Sequence, residues 1–324
     1  MTMEKKISII MPVYNEEKFI SKCLDSLVLQ TYDLKNADFI VIDGLSTDRT
    51  LEIIDNYKNK LGIRVLLNEK RKVTCALNIG IDAAVGDYII RLDAHSVYYP
   101  DYIEKCIYYL ENTDADNVGG LAITDGSGFM GKINADILSS KFGVGGSKFR
   151  TNACSGYVDT VPFGAFRKEV FDVVGKFNPD LPRSEDNDIN SRIRENGGKV
   201  YLSSDIRFTY YCRDTLKGLL EQAIKNGNAL FFTLKKNKNA MSLRHFVPLA
   251  FFASVVGLLI IGCFVPKMLY VLLFELSLYL ILDLYFSLTA GNKKLWLFKV
   301  ALYPVFHLTY GVGSFLSLLS IRLY

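Results

Sequence analysis

The chain divides sharply near residue 240 into a mixed part and an apolar part. Residues up to Asn239 combine apolar and charged side chains, as is typical of a soluble α/β protein. By contrast, Phe246–Val265 contains 20 residues without a charge. A helix of that length, at about 1.5 Å per residue, crosses a hydrocarbon core of ~30 Å. With similar stretches at 268–290 and 295–319, the sequence predicts one domain over 1–240 and a membrane region over 241–324 with about three transmembrane helices.

The positive charges around these stretches predict their orientation. Lys and Arg lie before the first stretch and between the second and third, at Lys235, Lys236, Lys238, Arg244, Lys293 and Lys294. The connection between the first two stretches has only Lys267, and the far end has only Arg322. Because short loops rich in Lys and Arg stay in the cytoplasm, we expect a multi-pass protein of the cell membrane with a cytoplasmic first domain and an outside C-terminus.

The remaining composition excludes several classes of protein. A net charge of +4 is too small to indicate a nucleic-acid partner. The six cysteines are scattered and form no Cys-x-x-Cys pair, which excludes the common zinc motifs and argues against a disulfide framework. We expect reduced thiols that are mostly buried.

Short β-like runs alternate with helical patterns in the first domain. The predicted strands are 6–11, 39–43, 64–67 and 88–92, with helices beginning near 16, 48 and 74. This alternation predicts an α/β fold with a mainly parallel, twisted sheet covered on both faces. Ligands of such sheets bind beyond the carboxyl ends of the strands, where Asn15, Asp43, Asp93 and His95 lie.

Residues 125–160 interrupt the alternation and are rich in glycine. This composition predicts a mobile loop with at most a short helix. Such an insertion could shape a substrate pocket, or it could be an irregular surface loop.

Asp93 and His95 are two residues apart at the end of an apolar strand. Alternate residues of a strand point the same way, so the carboxylate and the imidazole could converge on one Mn²⁺ or related ion. A second acidic group, Glu185 and Asp186, opens a predicted helix over 185–196. Together these groups suggest chemistry on a metal-bound phosphate ester.

An ordered series of motifs resembles those of family 2 glycosyltransferases with the GT-A fold, a Rossmann-like nucleotide-diphospho-sugar transferase fold. The series comprises Ile9-Ile-Met-Pro-Val-Tyr-Asn-Glu-Glu17, Val41-Ile-Asp-Gly-Leu-Ser-Thr-Asp48, Leu77-Asn-Ile-Gly80 and Asp93-Ala-His95. Asp-Ala-His stands where Asp-x-Asp is commoner, which is similar to the branch of ExoA-type enzymes of succinoglycan biosynthesis. The resemblance covers roughly residues 6 to 248.

The resemblance implies a nucleotide-sugar site. Its residues would be Pro12, Tyr14, Asn15, Glu16, Asp43, Arg71, Lys72 and Asp93. Asp43 would accept hydrogen bonds from a uracil or ribose, although an Asp before Gly44 is also an ordinary turn-former. Arg71 and Lys72 would meet phosphate at a helix start, or form a solvated basic loop.

The resemblance also implies the reacting groups. Asp93 and His95 would hold Mn²⁺ or Mg²⁺ on the diphosphate, which neutralises charge on the leaving group. Asp186 would take the proton of the acceptor hydroxyl and Glu185 would orient the acceptor. Compensation of the helix dipole is the alternative reading of both carboxylates.

The functional hypothesis is a metal-dependent, inverting hexosyltransferase with UDP-glucose as its donor. Its acceptor would be a polyprenyl-diphosphate-linked oligosaccharide in exopolysaccharide or capsule biosynthesis, and membrane lipid and other polysaccharide-assembly proteins would be further partners. The family's Gln-x-x-Arg-Trp motif is replaced by Gln222-Ala-Ile-Lys-Asn226, which favours addition of a single sugar. A polyprenyl-phosphate glycosyltransferase and a catalytically degenerate membrane scaffold are the alternatives.

Overall fold

The computed structural model describes residues 6–151, 153–181 and 183–323. Its strands are β1 (Ile7–Val13), β2 (Asp38–Asp43), β3 (Ile63–Leu67), β4 (Tyr88–Arg91), β5 (Ser96–Tyr98), β6 (Asn117–Asp125), β7 (Gly156–Tyr157), β8 (Ala165–Arg167) and β9 (Val200–Tyr211). Its helices are α1 (Ile20–Val28), α2 (Thr50–Asp55), α3 (Lys58–Leu61), α4 (Val73–Ala83), α5 (Tyr102–Asn112), α6 (Gly128–Ser139), α7 (Lys141–Val144), α8 (Val170–Val174), α9 (Glu185–Glu195), α10 (Leu216–Lys236), α11 (Val247–Phe264), α12 (Met268–Thr289) and α13 (Trp296–Leu318).

The chain folds into two compact units. One contains the described residues of 6–123 and of 153–211. The other contains Thr124–Thr151 and the chain from Cys212 onwards. The second unit thus joins a segment from the middle of the chain to the apolar C-terminal helices. The predicted division at residue 240 concerns the membrane environment and stays a prediction.

The sheet of the first unit is built around β1. Parallel pairing places β2 and β4 on its two sides and β3 beyond β2. A central strand of this kind is covered on both faces, which explains why β1 is almost uninterruptedly apolar and buried. The register sets Val13 opposite Asp43, and Ile10 opposite Arg91, so the residues that follow these strands meet beyond one edge.

The predicted α/β fold is confirmed, but the sheet is mixed rather than mainly parallel. Beyond β4 the order continues β8, β6, β9 and β5, and the pairs β4–β8, β6–β8 and β5–β9 are antiparallel. Sequence periodicity does not report strand direction, because a short strand buried on both faces is equally apolar in either direction.

The prediction of a mobile loop over 125–160 is wrong for its first half. α6 is a helix of 12 residues in which Ile133, Ile137 and Leu138 are buried, and α7 follows it. These apolar residues recur with helical spacing, and tertiary packing outweighs the low helix propensity of the neighbouring glycines.

Among its described residues, the second unit contains three helices that are long and apolar enough to cross a membrane by length and composition. They are Leu243–Phe264, Met268–Thr289 and Lys293–Leu318, in agreement with the predicted stretches. α11 and α12 are antiparallel neighbours, since a Cβ on Gly262 would meet Leu269 and the Ser254 hydroxyl bonds the Glu275 carboxylate.

Candidate active site

Two loops at the carboxyl ends of β1 and β2 are fastened to each other. The Asn15 side-chain oxygen accepts the Thr47 N–H at 2.8 Å, and the Asn15 N–H donates to the Ser46 hydroxyl at 3.0 Å. The next amide, that of Glu16, donates to the Thr50 hydroxyl at 2.7 Å. Asn15 has a φ of 53°, a left-handed conformation that Asn tolerates better than most residues. These bonds therefore hold the two loops together beyond the carboxyl ends of β1 and β2.

Asp43 closes the turn at the end of β2. Its carboxylate is 1% exposed and accepts the Ser46 N–H, at 3.2 Å to one oxygen and 3.1 Å to the other. The Ser46 hydroxyl also donates to it, at 2.6 Å. The turn-forming role proposed as the alternative is therefore real, and the contact of Asp43 with a nucleotide stays a prediction.

Tyr14 and Arg71 come together although 57 positions separate them in the sequence. The guanidinium carbon of Arg71 lies 5.9 Å from the centre of the Tyr14 ring, within range of a cation–π interaction. Both side chains are exposed. Lys72 instead donates to the Pro179 carbonyl at 3.3 Å, and Pro12 is half-buried within β1.

Asp93 and His95 lie in a tight turn between β4 and β5, not on a continuing strand. The Tyr98 hydroxyl holds this turn, since it accepts the Asp93 N–H at 2.6 Å. The turn nevertheless brings the two side chains together, with 3.6 Å between His95 Nε2 and Asp93 Oδ2. On the other side of the ring, His95 Nδ1 is 3.4 Å from Glu16 Oε1. The two side chains are therefore close together, although a turn rather than strand pleating places them so, and their binding of one ion stays a prediction.

The donor chemistry of this turn fits a hard divalent ion. Asp93 and His95 offer an oxygen and a nitrogen ligand, and each side chain is partly exposed. Among the described residues no group of three or more His, Cys, Asp or Glu side chains forms a complete metal centre. Protein ligands from this turn would therefore leave positions for diphosphate oxygens, as is usual for Mg²⁺.

Arg91, to which the sequence assigned no role, joins the acidic pair to β4. Its guanidinium donates to Asp186 at 2.6 Å and to Glu185 at 3.0 Å. The Arg91 side chain is 3% exposed and lies between the rings of Phe163 and Phe177, 5.5 and 5.7 Å from their centres. Because Arg91 precedes Asp93 by two residues, it connects the acidic pair to the histidine turn.

A signal for Arg91 was present in the sequence. It is a charged residue in the otherwise apolar run Tyr88-Ile-Ile-Arg-Leu92. Charged groups are almost never fully buried without a partner, so a strand of this kind requires an acidic partner from another element. Only the fold shows that the partner is the first turn of α9.

Electrostatics prepare Asp186 to accept a proton. Burial raises the pKa of its carboxyl to about 7, and the charges of Glu185 and Asp93 act in the same direction. Arg91 opposes them but does not cancel them. For Arg91, burial acts to lower the pKa of the guanidinium, but the surrounding carboxylates outweigh it and raise that pKa. The cluster thus combines the permanently charged guanidinium of Arg91 with the Asp186 carboxyl, whose pKa is near neutral.

This α/β sheet, with polar groups beyond the ends of its parallel strands, has the GT-A type of fold. The chain belongs to glycosyl transferase family 2, whose family model matches residues 8–175. The family that the motifs indicated is therefore confirmed.

Two curated relatives are similar over most of the chain. One is the succinoglycan biosynthesis protein ExoA of Rhizobium meliloti, 31% identical over 75% of this chain and 74% of that protein. The other, from Methanococcus voltae, is a dolichyl N-acetyl-alpha-D-glucosaminyl phosphate 3-beta-D-2,3-diacetamido-2,3-dideoxy-beta-D-glucuronosyltransferase, 28% identical over 97% of both chains.

Among solved structures, the fold is similar to that of the mannosyltransferase PcManGT of Pyrobaculum calidifontis in complex with GDP-Man and Mn²⁺. The TM-score is 0.67 at 16% identity, over 98% of this chain and 88% of that one. At this identity the similarity shows a shared fold.

Proposed function

We propose that this protein is a membrane-anchored, metal-dependent, inverting glycosyltransferase that adds one hexose to a lipid-linked oligosaccharide. The observation that carries the proposal is the pair of bonds from Arg91, the last residue of β4, to Glu185 and Asp186, just before the turn that contains Asp93. A proton acceptor and a set of metal ligands are thereby held at one end of one strand.

In the proposed reaction, the acceptor hydroxyl oxygen attacks the anomeric carbon of the donor sugar. Its proton passes to the Asp186 carboxylate, the bond from the anomeric carbon to the diphosphate breaks, and the bonding electrons leave with the nucleoside diphosphate. A single displacement of this kind inverts the anomeric configuration. Arg91 occupies one oxygen of Asp186, at 2.6 Å, and so fixes the direction in which the carboxylate faces the acceptor.

Asp93 and His95 would hold the divalent ion, Mn²⁺ or Mg²⁺. When bound, such an ion neutralises charge on the leaving diphosphate. The PcManGT structure contains Mn²⁺ together with GDP-Man, which supports metal use in this fold. Glu16, 3.4 Å from His95, would orient the imidazole from the side away from Asp93.

The donor in this proposal is UDP-glucose. Asp43, Asn15 and the backbone near Pro12 would border the nucleotide, and Arg71 and Lys72 would neutralise phosphate. Tyr14 offers an exposed ring, 45% accessible, on which a base could stack. A nucleotide bound there would have an aromatic and a cationic partner on one surface.

The acceptor in this proposal is carried by a polyprenyl diphosphate, and the product would enter exopolysaccharide or capsule assembly. The ExoA relative supports the pathway class, since it is a succinoglycan biosynthesis protein. The Methanococcus voltae relative favours a second candidate, in which the acceptor sugar is linked to a polyprenyl monophosphate. The name of that relative specifies a dolichyl phosphate sugar as acceptor. Anchoring confines enzyme and lipid-linked acceptor to one surface and raises their effective concentration.

The test is release of nucleoside diphosphate by the purified full-length chain. UDP-glucose, other UDP-sugars and GDP-mannose would each be offered with three acceptors, with Mn²⁺ or with a chelator. The acceptors are polyprenyl-diphosphate-linked sugars, polyprenyl-monophosphate-linked sugars and polyprenyl phosphate itself. We expect turnover that requires metal and acceptor, and loss of about 10²–10⁴-fold in Asp186→Asn because a general base is removed. Asp93→Ala should lose the response to metal.

Glu195→Gln is the matched control, since it changes a carboxylate at the opposite end of α9. It should keep wild-type turnover. Equal rates in wild type and Asp186→Asn would refute the assigned base. No turnover with any donor and acceptor would favour the scaffold alternative, and turnover with polyprenyl phosphate alone would favour a polyprenyl-phosphate glycosyltransferase.

A further inference from the structure

We propose that α13 lies in the plane of the membrane surface and does not cross the bilayer, so the C-terminus stays on the side where α11 begins. Charge distribution alone predicts the opposite side for the C-terminus. The inference rests on the second unit only and does not use the transferase reaction.

The start of α13 is held by α6. Lys299 is fully buried, and its ammonium donates to the Ala290 carbonyl and lies 3.4 Å from the Asp136 carboxylate of α6. The same carboxylate accepts the Asn292 N–H at 2.8 Å. One carboxylate of α6 therefore anchors both the connection before α13 and its first turn.

Aromatic packing extends this anchorage through the first half of α13. Phe129 of α6 meets Phe298 at a ring distance of 4.8 Å. Phe142 of α7 contacts Tyr303 at 5.0 Å and His307 at 5.1 Å. Residues from Phe298 to His307 thus lie beside α6 and α7.

The other end of α13 is held by α10. The Asn228 side-chain amide donates to the carbonyls of Gly313 at 3.3 Å and Ile321 at 2.9 Å. The Phe231 N–H donates to the Ser317 hydroxyl at 3.1 Å. Later positions of α10 contact later positions of α13, so the two helices run side by side in the same direction.

The final contacts bring the chain end to the basic end of α10. Lys235 donates to the Ser320 hydroxyl at 2.8 Å, and the Leu323 N–H donates to the Asn228 side-chain oxygen at 3.1 Å. The guanidinium carbon of Arg322 lies 4.8 Å from the centre of the Phe232 ring. The end of the described chain thus lies beside residues that precede the first span.

Both anchors of α13 belong to segments on one side of the bilayer. Within the described ranges, no helix before Leu243 is a candidate span. α6 carries Lys132 and Asp136, and α10 carries Lys217, Glu221 and Lys225, so neither can cross hydrocarbon cheaply. Because α6 and α10 precede the first span, they share one side, and both ends of α13 are tied to that side.

The surface of α13 fits a lipid partner. Its buried face carries polar groups such as Lys299, Ser314 and Ser317, while an apolar stripe is exposed. The stripe is formed by Phe298, Ala301, Val305, Phe315 and Leu319. An in-plane helix buries such a stripe at the boundary of headgroups and acyl chains. Lys235, Lys238 and Arg322 would then lie among anionic headgroups, which attract basic side chains next to a membrane.

The test is cysteine accessibility in cells that produce the full-length chain. A membrane-impermeant maleimide would be applied to intact and to permeabilised cells, with labelling normalised to that in denaturing detergent. Three single-cysteine variants, Lys238→Cys, Lys267→Cys and Arg322→Cys, would be made in a chain whose six native cysteines are all replaced, the exposed Cys154 and Cys263 by Ser and the four buried ones by Ala.

We expect intact cells to label Lys267→Cys alone, at the turn between α11 and α12. Arg322→Cys should label only after permeabilisation, as Lys238→Cys does. Labelling of Arg322→Cys in intact cells to the extent of Lys267→Cys would overturn the inference and restore a third span. Lys267→Cys is the positive control, because its labelling in intact cells shows that α11 and α12 cross the bilayer. Neither result depends on turnover, so topology and catalysis are tested separately.

Discussion

The guanidinium of Arg91 bonds two carboxylates at once, at 2.6 Å to Asp186 and 3.0 Å to Glu185, and almost none of its side chain meets solvent. Removal of one partner from such a buried group costs about 3–5 kcal/mol, since the remaining charges lose their compensation. At the scale of single residues, Arg91 is therefore a positioning residue. In the proposed reaction it sets the orientation and the charge environment of Asp186, and the acceptor would meet that carboxylate.

In the proposed reaction, the pH dependence follows from the Asp186 carboxyl. A base must be deprotonated, and burial raises the pKa of this carboxyl to about 7. We therefore expect kcat/KM to be constant above that pH and to fall about tenfold per pH unit below it. Arg91→Gln removes the cation that lowers this pKa, so the fall should begin at higher pH.

Initial rates at limiting donor and acceptor, measured from pH 5 to 9, would check this dependence. Arg64→Gln serves as the control, because Arg64 also bonds a carboxylate twice, that of Asp38, but at a distant edge of the sheet. Its profile should match that of wild type. A profile that stays flat down to pH 5 would exclude Asp186 as the titrating base.

At the scale of elements, the close approach of α4 to the sheet depends on a glycine. A Cβ on Gly80 would lie 2.9 Å from Ile10 Cγ2 and 3.0 Å from Ile42 Cδ1, closer than ordinary van der Waals contact. α4 begins after Arg71 and Lys72, so its seat on β1 and β2 also fixes where these two cations lie. The glycine of the Leu77-Asn-Ile-Gly80 motif thus acts through packing.

Gly80→Ala should lower the free energy of unfolding by about 1–3 kcal/mol, because the added methyl overpacks the interface. Gly146→Ala is the matched control, since a Cβ there meets nothing within 4 Å. Thermal unfolding of the full-length chain in detergent would compare the two variants. Equal midpoints for both variants would show that the interface relaxes without cost.

At the scale of the whole molecule, two units divide the chain in a way that the hydropathy pattern does not. α6 and α7 lie between strands of the first unit in the sequence, yet they pack with the apolar helices of the second. Only 6% of the apolar stretch of α11 is buried within the protein, whereas 28% of the apolar stretch of α13 is buried. α11 thus exposes apolar side chains that lipid could cover, whereas α13 has protein on one side.

We therefore expect the full-length chain to behave as an integral membrane protein. It should stay in the membrane pellet after washes with concentrated salt and with alkaline carbonate, because α11 and α12 expose apolar side chains along their length. Immunoblots of pellet and supernatant would measure this. As a control, a soluble protein of the same cells should appear in the supernatant. Release of this chain by salt alone would contradict the expectation.

Local patterns in the sequence were enough to place several elements. The apolar stretches predicted the C-terminal helices, and the apolar runs predicted β1, β2 and β4, because burial on both faces leaves few polar positions. The family followed from motif order, and the proximity of Asp93 and His95 followed from their spacing. These features depend on residues that are near one another in the chain.

Other features depend on contacts between distant residues, and only the tertiary structure decided them. The sheet is mixed because strand direction leaves no trace in a short buried strand. α6 forms despite its glycines because its apolar face packs within the second unit. Arg91 bonds Glu185 and Asp186, which are more than 90 positions away in the sequence. Hydropathy measures how well a helix suits lipid, so it shows that α13 is apolar, whereas the bonds to Asp136 and Asn228 determine what each end of that helix contacts.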